Sequence, residues 1–202
     1  LPHLLKDSMH AFSWEMVLLS ISGLSVFGGC LLVIFVNNGP YRKKGTSLDL
    51  TICFKVFKNK DFRKASFGYF GHLWELYTFW TFVPILLKTY SDMYTKVQFN
   101  IPLLSFFIIG IGSISCVLGS YLAAKFGTKR TAFSALLLSC FCCLVSPLFF
   151  LVSNSTIFLL FLLFWGMVVI ADSALFSTLV AQNAPEKDKG TALTIVNCIG
   201  FS

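Results

Sequence analysis

The stretch FGYFGHLWELYTFW, residues 67–80, combines the aromatic and apolar side chains of a membrane span with two ionisable groups. His72 and Glu75 are three residues apart, so on an α-helix they are separated by about 60° around the axis. A charged carboxylate near the middle of a bilayer costs at least about 2.5 kcal/mol. Glu75 avoids that cost if it is protonated, pairs with a protonated His72, or faces a water-filled cavity. Each option suits a proton carrier or a polar-ligand site, and the alternative is a hydrogen bond between helices with no role in transport.

The composition around this stretch is that of a helical membrane protein. Of the 202 residues, 56% are hydrophobic and 12% are charged, whereas a soluble domain carries about 25% charged residues. Apolar runs of about 20 residues match a helix that crosses about 30 Å of hydrocarbon. We therefore expect an all-α, polytopic transmembrane helical bundle. The expected full spans are 14–36, 67–87, 101–124, 132–152 and 156–180, with a sixth that begins near residue 191.

The basic residues indicate how the bundle is oriented. If the spans alternate, the loop 37–66 and the turns after the third and fifth spans lie on one side and hold most of the Lys and Arg. The other side receives only Lys6, Lys88 and Lys96 of the sixteen. The positive-inside rule then places the basic side in the cytoplasm. The net charge of +7 is therefore a sign of membrane topology, and we expect no nucleic-acid partner.

Residues 47–65, within the long basic loop, mix apolar side chains with a basic tail. This pattern predicts a short helix on the inner leaflet, with its apolar face in the lipid and its lysines near anionic headgroups. A solvated linker is the alternative. A different pattern marks the third span, where small residues recur at three- and four-residue spacing and would let another helix approach closely. These residues are Gly112, Ser115, Cys116, Gly119, Ser120 and Ala123.

Two later spans add polar candidates. Asp172 lies in ADSALFSTLVAQN, residues 171–183, where Ser173 and Ser177 could donate hydrogen bonds to it. Asn197 and Thr194 share one face of the sixth span. Each of these groups has a capping or packing alternative. The seven cysteines form no CxxC pair with metal-ligand spacing, so we expect no metal and no other cofactor.

The turn SYLAAKFGTKR, residues 120–130, resembles the loop motif G-x-L-x-D-R-x-G-R-K of the major facilitator superfamily. Ser120 and Ala124 stand where the motif has its first Gly and its acid. Six spans with a long basic loop after the first are also similar to the middle and C-terminal part of such a transporter. The matching positions, with the Arg that follows them, form the gating loop that the resemblance implies: Lys125, Gly127, Lys129 and Arg130.

The resemblance also implies a domain organisation. Residues 1–36 would hold the last helix of the N-terminal half, 37–66 the cytoplasmic basic linker, and 67–202 a truncated C-terminal bundle. The chain opens at Leu1 rather than Met and closes on a short apolar run, TALTIVNCIGFS. We therefore expect it to be part of a longer protein, whose missing N-terminal half is a partner of this segment.

By the same resemblance the protein is a permease that moves a small solute by alternating access, with proton coupling as an option. It would be a multi-pass protein of the bacterial cytoplasmic membrane. The substrate- or proton-binding candidates are His72, Glu75, Asp172 and Asn197. An intramembrane metal-dependent enzyme is one alternative, because HLWE sets His and Glu on one helical face, although a zinc centre usually needs three protein ligands. A non-transporting receptor or scaffold is another.

Overall fold

The computed structural model describes residues 14–36, 51–95 and 97–201, and within them every regular element is an α-helix. The chain divides into two units, Leu1–Leu48 and Asp49–Ser202. The described part of the first is helix α1, Trp14–Phe35. The second holds α2 (Thr51–Val56), α3 (Lys60–Met93), α4 (Ile101–Gly110), α5 (Gly112–Phe126), α6 (Thr128–Phe149), α7 (Ser155–Ala171), α8 (Ser173–Asn183) and α9 (Lys189–Gly200). The expected all-α bundle is confirmed.

Among the described residues, four helical stretches are long and apolar enough to cross a membrane. They coincide with the predicted first, third, fourth and fifth spans to within a few residues at each end. The third and fifth spans are each interrupted once, at Ile111 between α4 and α5 and at Asp172 between α7 and α8. The stretches are Glu15–Phe35, Ile101–Phe126, Thr128–Phe149 and Ser155–Asn183.

Helix α3 carries the stretch that contains His72 and Glu75. Its 34 residues begin at Lys60, inside the predicted linker, and would extend about 51 Å at about 1.5 Å per residue. The side chain of Asn59 caps the N-terminus by accepting hydrogen bonds from two backbone N–H groups. The polar, Trp and Tyr side chains of α3 lower the mean hydropathy of the helix, so α3 is not among the four apolar stretches. The predicted second span, 67–87, is thus helical throughout, while its crossing of the membrane stays a prediction.

The short helix predicted within residues 47–65 is α2, but its apolar face does not simply face lipid. Val56 is 1% exposed and packs with Phe62, Ala184 and Ala192 in the protein core. Phe54 is 79% exposed and remains available to a membrane surface. The first residues of the predicted segment lie outside the described part of the chain. The helix therefore uses one apolar side chain for folding and leaves another for its surroundings.

The small-residue pattern of the third span does allow close packing, as predicted. A Cβ at Gly119 would overlap the backbone carbonyl oxygen of Ala171, and one at Gly112 would overlap the side chain of Ile170. Helices α5 and α7 are therefore in near backbone contact, which substitutes for the hydrophobic drive that lipid cannot supply. Two buried clusters flank this contact, and α3 enters the first through Leu73 and the second through Leu76. His72 and Glu75 lie where the two clusters meet.

Candidate functional site

His72 and Asp172 form a buried contact between α3 and the junction of α7 with α8. The Nδ1 atom of His72 lies 2.9 Å from Oδ1 of Asp172, and the two side chains are 1% and 2% exposed. The two atoms are close but not aligned as a regular hydrogen bond, so the attraction is mainly electrostatic. The sequence suggested Glu75 as a partner for His72, whereas the structure pairs His72 with Asp172.

The other nitrogen of the imidazole has a partner as well. His72 Nε2 lies 2.9 Å from the hydroxyl oxygen of Ser173. With a proton on Nδ1, the side that faces the carboxylate, a neutral ring accepts a hydrogen bond from Ser173. A protonated ring donates to the same hydroxyl. The site therefore accommodates both charge states of His72 without moving Ser173.

Two aromatic rings lie near the imidazole. The ring centroid of Tyr69 lies 6.4 Å from that of His72 and the centroid of Phe176 lies 5.7 Å away, both in stacked orientation. Phe176 fits because Gly68 has no side chain, since a Cβ there would meet the ring. The buried imidazole therefore has aromatic neighbours both on its own helix and on α8.

Asp172 sits at the interruption of the fifth span. The backbone N–H groups of Leu175 and Phe176 both bond to its carbonyl oxygen, which starts α8. Just before it, the carbonyl oxygen of Ile170 accepts a hydrogen bond from the Cys116 thiol at 3.5 Å. Helix α5 therefore contacts Ile170, two residues before the Asp172 that pairs with His72. Ser177, which could have bonded to the carboxylate, donates instead to the backbone oxygen of Ser173.

Glu75 belongs to a second polar cluster. Its Oε1 accepts a short hydrogen bond from the hydroxyl of Ser139 on α6, and the indole N–H of Trp165 on α7 donates to the same hydroxyl at 3.1 Å. Ser139 is 1% exposed, and sequence reasoning missed it. A lone serine in the apolar run LLLSCFCC, residues 136–143, is a signal for a buried hydrogen bond, but it does not reveal the partner.

Glu75 also lines an open groove of about 590 Å³ between α3 and α6, with Trp165 of α7 in one wall. Aromatic and aliphatic side chains form most of the surface, among them Trp74, which is 80% exposed, and Phe82, which is 50% exposed. Glu75 is the one acid among the lining residues, and no Lys, Arg or His lies with it there. His72 is not among the lining residues, so His72 and Glu75 have different surroundings although both lie on α3.

Asn197 and the predicted gating loop contact neither cluster. Asn197 is exposed on α9, and its backbone carbonyl rather than its side chain bonds to Phe201. Within the described residues no hydrogen bond or ion pair joins the side chain of Asn197, or the loop, to His72, Glu75 or Asp172. Gly127 forms the sharp turn between α5 and α6 with φ 91° and ψ 138°, which residues with a Cβ rarely adopt. The basic residues of the loop, Lys125, Lys129 and Arg130, are all exposed.

Comparison with known proteins assigns the chain to a family. The sequence profile described as Major Facilitator Superfamily matches residues 8–202, which is nearly the whole chain. No curated protein and no solved structure matches it. Proteins of this family are membrane transporters that bind small-molecule substrates, and the four apolar helices agree with a multi-pass integral membrane protein. The chain therefore belongs to the Major Facilitator Superfamily of membrane transporters.

Proposed function

We propose that this transporter carries a small solute by alternating access and couples the movement to proton binding at His72 and Asp172. One observation carries the proposal, the 2.9 Å contact between two ionisable side chains that are 1% and 2% exposed. Ionisable groups in membrane-spanning segments are costly to keep and mark proton relays or substrate pathways. Here the contact lies at the one interruption of the Ser155–Asn183 helical stretch.

The chemistry of the pair suits a proton switch. An imidazolium facing a carboxylate is neutral overall, as is a neutral imidazole facing a protonated acid. Adding one proton to such a pair leaves a net positive charge, and removing one leaves a net negative charge. An uncompensated charge at this depth costs at least about 2.5 kcal/mol. A change of protonation therefore favours a conformation in which water reaches His72 and Asp172.

The position of Asp172 offers a route from this charge to a movement. The contact ties α3 to the point where α7 gives way to α8, and α5 packs against the same point through Gly119. Loss of the attraction would free α8 to tilt against α7 while α5 continues to hold α7. In many secondary transporters interrupted helices form the central site, and one bundle rocks or gates against the other around it during alternating access.

Two further assignments belong to the proposal. Glu75 would meet the solute, because it lines an open groove whereas His72 and Asp172 are enclosed. Helix α1 would be the last helix of an N-terminal half, joined by a cytoplasmic linker to the bundle that follows, in a bacterial cytoplasmic membrane. Asn197 and the loop around Gly127 would act in solute binding and gating during the movement.

The test compares gradient-driven uptake with exchange in liposomes that contain the full-length protein. A solute is first selected by a thermal-shift screen. Wild-type protein should accumulate it when the pH is lower outside than inside, and should exchange it without a gradient. Asp172→Asn keeps the shape of the side chain but cannot ionise, so it should exchange the solute and fail to accumulate it. Asp92→Asn, an exposed position on the same long helix α3, is the matched control. Accumulation by Asp172→Asn at the wild-type level would overturn the coupling proposal.

A further inference from the structure

The groove beside Glu75 has an unusual balance of charge and apolar surface. Its volume of about 590 Å³ lies within the range of about 300–1,000 Å³ that is typical of small-molecule sites. Its walls come from Trp, Phe, Leu and Cys side chains, with one carboxylate and no basic residue among them. Such a surface disfavours an anion, because nothing in the lining compensates a negative charge.

The two hydroxyl groups of the lining are already engaged. The Thr78 hydroxyl donates to the backbone oxygen of Trp74 at 2.7 Å, and the Ser146 hydroxyl donates to that of Cys143 at 2.8 Å. The groove therefore offers few free donors to a solute with many hydroxyl groups, such as a sugar. It suits a solute whose body is apolar and whose polarity is concentrated in one place.

The carboxylate is oriented for a single positive charge. Ser139 bonds to Oε1 of Glu75 and is itself held by the Trp165 indole. Among the described residues no hydrogen bond reaches Oε2, which leaves that oxygen for a ligand. Trp74 lies one residue before Glu75 and exposes most of its ring. An indole face attracts cations through the negative charge on its π-surface, and the same flat face packs against apolar groups.

Resting on the proposed function, we infer that the transported solute is an amphipathic organic cation, bound in this groove with Glu75 as its counter-ion. The ammonium, phosphonium or similar centre lies near Glu75 Oε2 and the Trp74 ring. The apolar body lies against Phe79, Phe82 and Leu86. Charge complementarity selects this occupant over a lipid chain or a second copy of the protein, neither of which would use the carboxylate.

The test uses two probes of nearly the same size and shape and of opposite charge, tetraphenylphosphonium and tetraphenylborate. Binding of each to the full-length protein in nanodiscs is measured by equilibrium dialysis, with empty nanodiscs to subtract partition into lipid. Tetraphenylphosphonium should bind at least tenfold more tightly than tetraphenylborate. Glu75→Gln, which can still accept the Ser139 hydrogen bond, should weaken phosphonium binding at least tenfold. Glu75→Asp should retain the preference for the cation, and Asp92→Asn should bind as the wild type does.

Three outcomes would overturn the inference: equal binding of both probes, unchanged phosphonium binding by a folded Glu75→Gln protein, or no binding above the empty nanodiscs. The last outcome would mean that lipid, another helix or a second copy covers the groove. Thermal unfolding checks that the variants are folded. Because dialysis needs no proton gradient, the substrate class can fail while the loss of accumulation in Asp172→Asn still supports proton coupling. Conversely, selective phosphonium binding together with unchanged accumulation by Asp172→Asn would support the substrate class and overturn proton coupling.

Discussion

His72 and Glu75 lie three residues apart on one helix, yet they occupy opposite environments. His72 is 1% exposed, faces an ionisable partner and has two aromatic rings as neighbours. Glu75 accepts a hydrogen bond from a neutral hydroxyl and opens onto a groove. Depth along a helix therefore does not determine what an ionisable side chain does. The elements that pack against it decide whether it is enclosed with a counter-charge or left open to a solute.

The difference has an energetic consequence. Removing one member of a buried ion pair leaves the other charged and unpaired, which costs about 3–5 kcal/mol. Removing Glu75 leaves only the Ser139 hydroxyl without an acceptor, because the Trp165 indole still donates to Ser139. The enclosed pair should therefore be sensitive to substitution and the groove tolerant of it. The predictions below test that contrast.

The largest effect is expected for His72→Ala. This change leaves the Asp172 carboxylate 2% exposed and without its partner, so the free energy of unfolding should fall by about 3–5 kcal/mol. Glu75→Ala, three residues away, leaves one neutral hydroxyl unpaired and should lower it by less, about 1–3 kcal/mol. Both values come from denaturant unfolding of the purified protein in detergent, followed by tryptophan fluorescence.

A double variant separates loss of the pair from loss of packing. Adding Asp172→Ala to His72→Ala removes the stranded carboxylate, so the double variant should be more stable than His72→Ala alone. If the double variant were less stable still, ordinary packing rather than the ion pair would account for the effect. Equal losses in His72→Ala and Glu75→Ala would erase the contrast between the two sites.

The second effect concerns the packing that supports the enclosed site. Gly119→Ala would press a methyl group onto the carbonyl oxygen of Ala171, next to Asp172. Overpacking of this kind costs about 1–3 kcal/mol. Gly110→Ala is the matched control, because a Cβ there meets nothing within 4 Å, and it should be neutral or stabilising by about 0.5–1 kcal/mol. The same unfolding assay measures both, and a Gly119→Ala protein as stable as the control would contradict the close contact of α5 with α7.

The apolar helices whose length matches the thickness of a bilayer could be predicted well from the sequence. Length and hydropathy alone placed the spans on α1, α4 with α5, α6, and α7 with α8, and the small residues of the third span anticipated its contact with α7. The start of α3 was missed because Lys60, Arg63 and Lys64 resemble a basic loop. Phe62, Ala65, Ser66 and Tyr69 are buried at helical spacing, and that periodicity was the signal available in the sequence.

The candidate site could be predicted only by residue type. His72, Glu75 and Asp172 stand out as ionisable groups in apolar surroundings, and the angle between the first two follows from helix geometry. Their partners do not, because Ser173 bonds to His72 across 101 sequence positions and Ser139 bonds to Glu75 across 64. Helix periodicity fixes directions within one helix, whereas the pairing depends on how separate helices dock.

The smallest effect, and the most direct probe of the open groove, is the reactivity of neighbouring cysteines on α6. Cys140 lines the groove and is exposed, while Cys142, two residues on, is 3% exposed. In single-cysteine variants of the full-length protein, a charged, water-soluble thiosulfonate should modify Cys140 at least about tenfold faster, which corresponds to about 1.4 kcal/mol. Mass spectrometry over time gives the two rates.

A charged reagent needs water, so rapid reaction at Cys140 would mean that the groove is hydrated, as a solute pathway requires. Equally slow reaction at both cysteines would mean that Glu75 faces a dry groove. His72 and Glu75 would then differ only in their partners, a carboxylate for His72 and a hydroxyl for Glu75.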